Sequence, residues 1–283
     1  MCSLWRSLKV PGQFRSGIFV FRFLFPAVWL ISVGVPVFAQ CPPPTAGLPS
    51  AQLLSVIDGD TLLLRDRRKI RLLDINTPEL GRDGRSDERW AQAAKQAVAD
   101  FLGKENRLIL DIYGKDRYNR HLAEVYREDG QMLSEHLLQA GLGWRILVPP
   151  LPHSRGSSDK LCLYQAEEQA RRQKRGLWSH TILNSKVATS ANQGFTLMRG
   201  RVEQVATSQH STWIDLEGDV VLHISHRDLH WFSAQDVSQW RGQTVEVRGW
   251  LRSRKPPRSG LASLRMDLRH PAMIELLGKQ LDK

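Results

Sequence analysis

Carboxylates and arginines recur in four short segments of the sequence, in an order that suits chemistry on a phosphate ester. Hydrolysis of a phosphodiester requires a water nucleophile and stabilisation of the charge that builds up on the phosphoryl oxygens, and a cation held by hard oxygen ligands supplies part of this. Guanidinium groups suit a phosphate because their planar fork donates two hydrogen bonds at once and stays charged. The four segments are Val56-Ile57-Asp58-Gly59-Asp60-Thr61, Ile70-Arg71-Leu72-Leu73, Asn76-Thr77-Pro78-Glu79 and Asp116-Arg117-Tyr118-Asn119-Arg120.

Each of these residues has an ordinary structural interpretation when it is considered alone. Paired aspartates such as Asp58 and Asp60 are usually turn formers, and a single arginine is usually solvated. Glu79 follows Pro78, a placement that is common on protein surfaces. The functional interpretation is favoured because the segments occur together.

At these segments the chain resembles the staphylococcal nuclease, or thermonuclease, family. The resemblance extends to Ala140-Gly141-Leu142 and Gly176-Leu177-Trp178-Ser179, so it covers about residues 53–180. Because several separated blocks match in order, the likeness is more specific than one short motif. It implies a calcium-dependent endonuclease that hydrolyses phosphodiester bonds of DNA or RNA. A non-catalytic nucleic-acid-binding protein with a degraded site of this type is the alternative.

The resemblance implies a metal site around Asp60. Asp60 would bind the ion directly, Asn76 and the backbone carbonyl of Thr77 would complete the protein ligands, and Asp58 would support them without touching the ion. The family pattern commonly has an aspartate where this chain has Asn76, which keeps a carbonyl oxygen but lacks the charge. Calcium affinity depends on the number of charged ligands, so we expect weaker calcium binding here.

The same resemblance assigns the catalytic and substrate-binding positions. Arg71 and Arg120 would clamp the phosphate, and Glu79 would orient or activate the attacking water. Tyr118 matches a position near the bound nucleotide, with Arg117 as its basic neighbour. The preference between DNA and RNA, and between single and double strands, does not follow from these residues.

Hydrophobic alternation and helical spacing predict the elements that position these residues. Five β-strands with helices packed around them predict a mainly β fold with α-helices, built on an OB-type barrel. We expect a nuclease domain over residues 52–182, preceded by an extended tether at 40–51 that is rich in Pro, Ala and Gly. The predicted strands are 53–57, 61–65, 70–75, 107–113 and 120–126, and the predicted helices are 86–103, capped by Ser86, then 132–140 and 159–174.

A second small OB-like barrel is predicted over residues 195–283, after a polar linker at 183–194. Basic residues crowd one strand-loop-strand region around Trp250, which resembles the surface that single-strand-binding OB folds use. A solvated basic hairpin with Trp250 in the core is the alternative. The predicted strands are 195–205, 211–216, 220–225, 244–251 and 264–268, with a helix near 233–240, and the candidate nucleic-acid-binding residues are Arg252, Arg254, Lys255 and Arg258.

The first 39 residues have the pattern of a signal peptide. Four basic residues precede the uncharged apolar run 23–39, which ends in Val37-Phe38-Ala39. We expect cleavage there and a periplasmic or secreted protein with no stable membrane span. An uncleaved N-terminal membrane anchor is the alternative, although the run is shorter than the roughly 20 residues that a spanning helix needs. A lipoprotein acylated at Cys41 is a further alternative.

Charge and cysteine content agree with an exported protein that binds a polyanion. The chain carries 40 Lys and Arg residues against 29 Asp and Glu residues, which suits a nucleic acid partner, although anionic membrane surfaces attract the same charge. Cys41 and Cys162 follow the leader and could form one disulfide in an oxidising compartment. Two unpaired thiols are the alternative.

Overall fold

The computed structural model describes residues 41–44, 46–147, 161–232, 236–254 and 260–278. All of them belong to one compact unit of the chain, Phe38–Lys283. The predicted signal peptide, Lys255 and Arg258 lie outside the described residues. No helix among the described residues is long and apolar enough to cross a membrane.

Five strands of the first half of the chain close into a barrel in the order β1-β2-β3-β6-β5. The neighbours are antiparallel except β3 and β6, which run parallel. Alternate residues point inward, and Leu62, Leu64, Ile70 and Leu72 are buried in the barrel interior. The strands of this half are β1 (Ser50–Val56), β2 (Thr61–Leu64), β3 (Lys69–Leu72), β4 (Ile75–Asn76), β5 (Arg107–Lys115), β6 (His121–Tyr126) and β7 (Trp144–Arg145).

Three helices pack on this barrel: α1 (Ala91–Leu102), α2 (Leu133–Gln139) and α3 (Leu161–Arg172). The prediction that the first of them begins at Ser86 is wrong. The two acidic residues expected in its first turn instead accept hydrogen bonds from the preceding loop, Asp87 from the Gly81 backbone at 2.8 Å and Glu88 from the Glu79 backbone at 2.9 Å. These bonds fix the loop that follows Glu79.

The predicted strand 70–75 is interrupted in the structure. Strand β3 ends at Leu72, and Asp74 adopts a left-handed conformation with φ 61°. This breaks the pleat, and the chain leaves the barrel to form β4, which pairs antiparallel with β7. The β4–β7 ribbon thus carries Asn76 beside the barrel and not within it.

The second half of the chain closes another five-stranded ring in the order β9-β10-β11-β13-β12. Its third and fourth members in that order, β11 and β13, are parallel, as β3 and β6 are in the first ring. The prediction of a mainly β fold with two barrels is therefore confirmed. The strands are β8 (Leu183–Asn184), β9 (Gly194–Thr207), β10 (Ser211–Leu216), β11 (Val220–Ser225), β12 (Thr244–Ser253), β13 (Leu264–Asp267) and β14 (Ile274–Leu277).

Two local predictions for this half need correction. The residues expected to form a polar linker at 183–194 are ordered: β8 pairs with β9, and the buried Ser185 donates a hydrogen bond to the Glu217 carbonyl at 2.7 Å. Instead of one helix near 233–240 there are α4 (His226–Leu229) and a 3-10 turn, Val237–Trp240, with 233–235 outside the described residues. Trp240 at the end of this turn is buried in the core.

The predicted tether at 40–51 is also held in place. Cys41 and Cys162 form a disulfide, and the Cys41 backbone N–H donates a hydrogen bond to Glu135 at 3.1 Å. Ser50 and Ala51 already belong to β1, where they pair with β5. The segment before the barrel is therefore fastened to α2 and α3.

Candidate active site

The loop between β1 and β2 brings Asp58 and Asp60 to the end of the first barrel. It is closed by a backbone hydrogen bond from Ile57 to Thr61 and by the Asp60 N–H, which donates to the Asp58 carboxylate at 3.1 Å. Gly59 is required between them, because a Cβ there would lie 2.7 Å from the Cβ of Ala94 in α1. The helix thus packs directly against the acidic loop.

Asp60 is the centre of the site, and its residue is only 2% exposed. One carboxylate oxygen accepts a hydrogen bond from the Thr77 N–H at 2.9 Å. The other accepts from the Thr61 hydroxyl at 3.1 Å and lies 3.1 Å from Nε of Arg71. Asp60 therefore joins the acidic loop to the β4–β7 ribbon and to β3.

Arg71 binds mainly to other groups of the protein, a structural role that the sequence does not indicate. Its Nη1 donates to the carbonyls of Leu72 at 2.6 Å and Ile75 at 2.8 Å, and its Nη2 donates to Asn76 Oδ1 at 3.1 Å. Three of its five N–H donors thus bind protein acceptors, and its Nε also forms an ion pair with Asp60. Arg71 thus fixes the side chains of Asp60 and Asn76 relative to each other.

Arg120 is held on the opposite side of Asp60 by a turn. Asp116 accepts from both the backbone N–H and Nε of Arg120, at 3.0 and 2.7 Å. Nη1 of Arg120 donates to the Thr61 hydroxyl at 3.3 Å, and Thr61 in turn binds Asp60. Arg120 thereby uses fewer donors on protein acceptors than Arg71 and is better placed to bind an anion.

The carboxylates of the site repel one another. Partial burial of the carboxyl raises the pKa of Glu79 to about 7 although much of the residue's own surface is exposed, and the charges of Asp60 and Asp58 add to this rise against a lowering effect of Arg71. Burial, followed by the charge of Asp60, also raises the pKa of Asp58. Crowded carboxylates whose mutual repulsion a cation would relieve are typical of a cation site.

Known proteins resemble this chain over the part that contains most of these residues. The sequence model of the family described as "Staphylococcal nuclease homologue" matches residues 69–180. An "Uncharacterized endonuclease" from Escherichia coli O157:H7 is 34% identical over 131 residues, which are 45% of this chain and 76% of that protein. The chain belongs to the staphylococcal nuclease family.

Two further relatives carry the name of a nuclease. A "Micrococcal nuclease" from Shigella flexneri is 28% identical over 176 residues, covering 58% of this chain and 88% of that protein. A "Thermonuclease" from Staphylococcus hyicus is 28% identical over 145 residues, covering 48% and 82%. Family membership supports a nuclease, an enzyme that hydrolyses phosphodiester bonds. The family match covers residues 69–180, and Asp60, which precedes it, is joined to the matched part by the hydrogen bond from the Thr77 N–H.

The oxygen donors around Asp60 fit a hard cation. The Asp60 carboxylate, Asn76 Oδ1 and the Thr77 carbonyl are the atom types that calcium prefers, and Asn76 Nδ2 lies 3.3 Å from the Thr77 carbonyl. Among the described residues, no group of three or more His, Cys, Asp and Glu side chains is arranged as a metal site. That result is consistent with this donor set, because an amide and a backbone carbonyl supply two of its three oxygens.

Tyr118 and Arg117 lie on the surface beside Arg120. Tyr118 is 65% exposed, and Arg117 donates to its hydroxyl at 2.7 Å while lying over its ring. Arg120 also approaches this ring, with 5.6 Å between its guanidinium carbon and the ring centroid. The structure therefore brings the predicted nucleotide-binding residues next to the predicted phosphate clamp.

Three residues that contact the site were not predicted from the sequence. Thr61 and Asp116 hold Asp60 and Arg120, as described above, and Arg82 places its guanidinium 3.5 Å from the Asp58 carboxylate. Asp116 could have been found, since it lies four positions before Arg120 within the matching segment. No local signal marks Arg82, because its partner is 24 residues away in the sequence.

The described residues of the second barrel place Trp250, Arg252 and Arg254 of the predicted basic and aromatic surface differently. The Trp250 ring packs edge-on against Phe195 at 5.2 Å and borders the core. Arg254 donates to the Ala262 carbonyl and lies over the ring of Trp213, while Arg252 is exposed. Alternation along β12 directs Trp250 toward Phe195 of the paired strand, which the sequence could not fix without the register.

Proposed function

We propose that this chain is an exported, metal-dependent nuclease that uses Ca²⁺ to hydrolyse phosphodiester bonds of DNA or RNA. The observation that carries the proposal is the direct hydrogen bond from the Thr77 N–H to Asp60, which brings two separate motifs of the sequence together at one point. Membership of the staphylococcal nuclease family supports it.

Asp60, Asn76 Oδ1 and the Thr77 carbonyl would hold the metal ion, with Asp58 behind them. When bound, the ion would neutralise charge on the phosphate and polarise a water molecule. Asp58 binds the Asp60 N–H and keeps the acidic loop in shape. Because Asn76 carries no charge, we propose that the site works at a higher calcium concentration than a site with two carboxylate ligands.

Arg120 and Arg71 would bind the phosphate, and Glu79 would take the proton from the attacking water. Arg120 can donate in a planar fork, while Arg71 must exchange at least one of its present protein contacts to do so. A carboxyl with a pKa of about 7 is well suited to accept a proton near neutral pH. Tyr118 and Arg117 would contact the nucleotide beside the scissile bond.

A non-catalytic nucleic-acid-binding protein is the second candidate, and two observations favour it. Asn76 stands at a position where the family pattern has a carboxylate, and Arg71 is largely occupied by protein acceptors. In that case Arg252 and Arg254 of the second barrel, together with Lys255 and Arg258, would contribute to binding.

Incubation of the purified protein with single- and double-stranded DNA and RNA separates the two candidates. We expect cleavage with excess calcium, none with a chelator, and none for Asp60→Asn. Asp66→Asn serves as the matched control, because Asp66 lies in an exposed turn of the same barrel and pairs with Arg68. Retained binding without cleavage by the wild-type protein would support the non-catalytic candidate and defeat the nuclease.

Export is a separate proposal. It is supported by the leader pattern in residues 1–39 and by the Cys41–Cys162 disulfide, since disulfides form and persist in oxidising compartments. We expect the mature protein to begin at Gln40 and to be periplasmic or secreted. Mass spectrometry of the N-terminus tests this, and a mature chain that retains residues 1–39 would indicate a membrane anchor.

A further inference from the structure

The β4–β7 ribbon carries a predicted metal ligand but stands outside the barrel. Asn76 on β4 is paired with Trp144 on β7, and Ile75 with Arg145. Next to this pairing, the Ile146 N–H donates to the Asp74 carbonyl at 3.0 Å. The position of Asn76 relative to Asp60 therefore depends on what holds β7.

Strand β7 is held in place jointly by helix α3 and the second barrel, through one buried ion pair. Glu167 of α3 accepts a hydrogen bond from the Arg145 N–H at 2.7 Å. Arg248 of β12 reaches both oxygens of Glu167 at 2.7 Å and also donates to the Arg145 carbonyl at 3.0 Å. The side chains of Arg248 and Glu167 are 8% and 1% exposed. Arg248 of the second barrel thus binds both the backbone of β7 and Glu167, the α3 residue that also binds this backbone.

An aromatic contact joins the same ribbon to the second barrel. The ring of Trp144, the residue paired with Asn76, lies 5.1 Å from the ring of Phe195 on β9. The ring of Phe195 in turn lies 5.2 Å from the ring of Trp250, and Trp250 borders the core of the second barrel. Trp250, which the sequence suggested for nucleic acid binding, therefore supports the ribbon through Phe195.

A second group of ion pairs lies beside Arg248, whose Nη2 is 3.9 Å from a carboxylate oxygen of Glu246. Glu246 on the same strand accepts two hydrogen bonds from Arg171 of α3, at 2.8 and 2.6 Å, and one from Arg199 of β9 at 2.8 Å. Two carboxylates and three guanidinium groups are thereby joined across the boundary between the barrels. Bidentate arginine–carboxylate pairs fix orientation as well as distance.

We propose that the second barrel acts as a positioning element for the nuclease site, and that Arg248 is the positioning residue through which it holds the β4–β7 ribbon. This inference rests on the proposed nuclease function. A buried ion pair adds little net stability compared with apolar residues of the same size, so its geometric effect is the more informative one. Catalytic groups must be held within about 0.5 Å of their productive positions, and a misplacement of about 1 Å costs on the order of 100-fold in rate.

The test compares four variants of the full chain: Arg248→Met, Arg248→Lys, the double variant Glu167→Gln with Arg248→Met, and Arg201→Met. In the double variant both charges of the Arg248–Glu167 pair are removed together, and the neutral amide introduced at position 167 keeps an acceptor for the Arg145 N–H. Arg201 is the matched control, because it is an arginine of the second barrel that donates to the Gly242 carbonyl within the same barrel. Each variant is assayed well below its own melting temperature, so that only folded molecules are compared.

Three quantities are measured: kcat and KM on an oligonucleotide, the calorimetric Kd for calcium, and amide hydrogen exchange of residues 74–77. We expect Arg248→Met and the double variant to lose about 10- to 100-fold in kcat with KM changed less than about threefold. We also expect weaker calcium binding and faster exchange in the ribbon. Arg248→Lys should recover most of kcat, and Arg201→Met should match the wild type.

Unchanged kcat, calcium Kd and ribbon exchange in the folded double variant would overturn the inference. Equal losses in Arg201→Met would also overturn it, because the effect would then not be specific to the ribbon. A wild-type protein that binds nucleic acid without cleaving it defeats the proposed function instead. In that case ribbon exchange and calcium binding still decide whether Arg248 positions Asn76.

Discussion

The two barrels share one strand order, including one parallel pairing at the same place in each ring, but they use their charges differently. In the first barrel the loop between the first two strands is Asp58-Gly59-Asp60, and in the second the corresponding turn is Ser208-Gln209-His210. One architecture thus presents a crowded acidic loop in one copy and a neutral polar turn in the other. Topology alone does not make a site.

The electrostatic contrast extends beyond this loop. In the first barrel, burial and mutual repulsion raise the pKa values of Asp58 and Glu79. In the second barrel, burial acts to raise the pKa of Glu246, but hydrogen bonds from Arg171 and Arg199 outweigh it, so that this pKa is lowered. The carboxylates around Asp60 thus keep a mutual repulsion that a bound cation would relieve, whereas the buried charge of Glu246 is already balanced by arginines.

The largest effect should separate two similar arginine–aspartate pairs. Arg120 pairs with Asp116 at 2.7 Å in the first barrel, and Arg265 pairs with Asp267 at 3.2 Å in the second. Arg120→Met should lower kcat by about 100- to 1,000-fold, because a preorganised donor to the transition state is lost. Arg265→Met should change kcat less than about twofold in the same oligonucleotide assay. Similar losses in both would mean that the two barrels share the catalytic surface.

The next effect concerns stability. Glu246→Gln should lower the free energy of unfolding at pH 7 by about 1.5–3 kcal/mol, because a buried carboxylate loses charge-assisted hydrogen bonds. The lowered pKa means that this contribution is present above pH about 4.5 and is lost as the pH falls through the folded pKa. Urea unfolding at pH 7 and pH 3 measures both values. Glu203→Gln, on an exposed position of β9, is the control and should change little.

A smaller effect should follow when a charge is added to the first barrel. Asn76→Asp should tighten calcium binding about tenfold, or ~1.4 kcal/mol, because a second charged ligand is supplied. Without calcium the same change places a carboxylate oxygen beside the Thr77 carbonyl, in place of a hydrogen bond at 3.3 Å. Calorimetric titration checks this against Asn106→Asp. An unchanged affinity would show that position 76 does not bind the ion.

The smallest effect concerns Glu79 in the metal-free protein. Because its folded pKa is raised to about 7, the folded state binds more protons than the unfolded state from pH about 4.5 to about 7, and stability falls as the pH rises through that window. Glu79→Gln lacks this loss and should be more stable than the wild type by about 1 kcal/mol at pH 8, a value kept low because the residue is open to solvent. Urea unfolding with a chelator at pH 4 and pH 8 tests this, and a difference of equal size at both pH values would contradict it.

Much of the fold could be predicted from local patterns. Strands 211–216 and 220–225 were predicted with their observed bounds, because β10 alternates regularly, β11 is rich in β-branched residues, and turns enclose both. Helix α1 was predicted too long, because Asp87 and Glu88 resemble a helix N-terminus in sequence but bind a loop in space. Local patterns show which residues are able to cap, and tertiary contacts decide which of them do.

The candidate site shows the same limit. Asp60, Arg71, Asn76 and Glu79 lie in motifs that can be read locally, and the structure adds the contacts that join the first three. The support behind the site could not be predicted. Arg248 and Glu167 are 81 residues apart, and each looks like an ordinary surface charge in the sequence. Only the packing of two barrels makes them partners.

The place of Arg248 along the chain also sets an order in time. Chains are synthesised from the N-terminus, and domains fold as they emerge. Glu167 therefore exists before its partner does, and a nascent chain that already contains every motif of the nuclease site still lacks the arginine that holds β7. A stop or break within the second barrel would leave those motifs intact and the ribbon without its anchor.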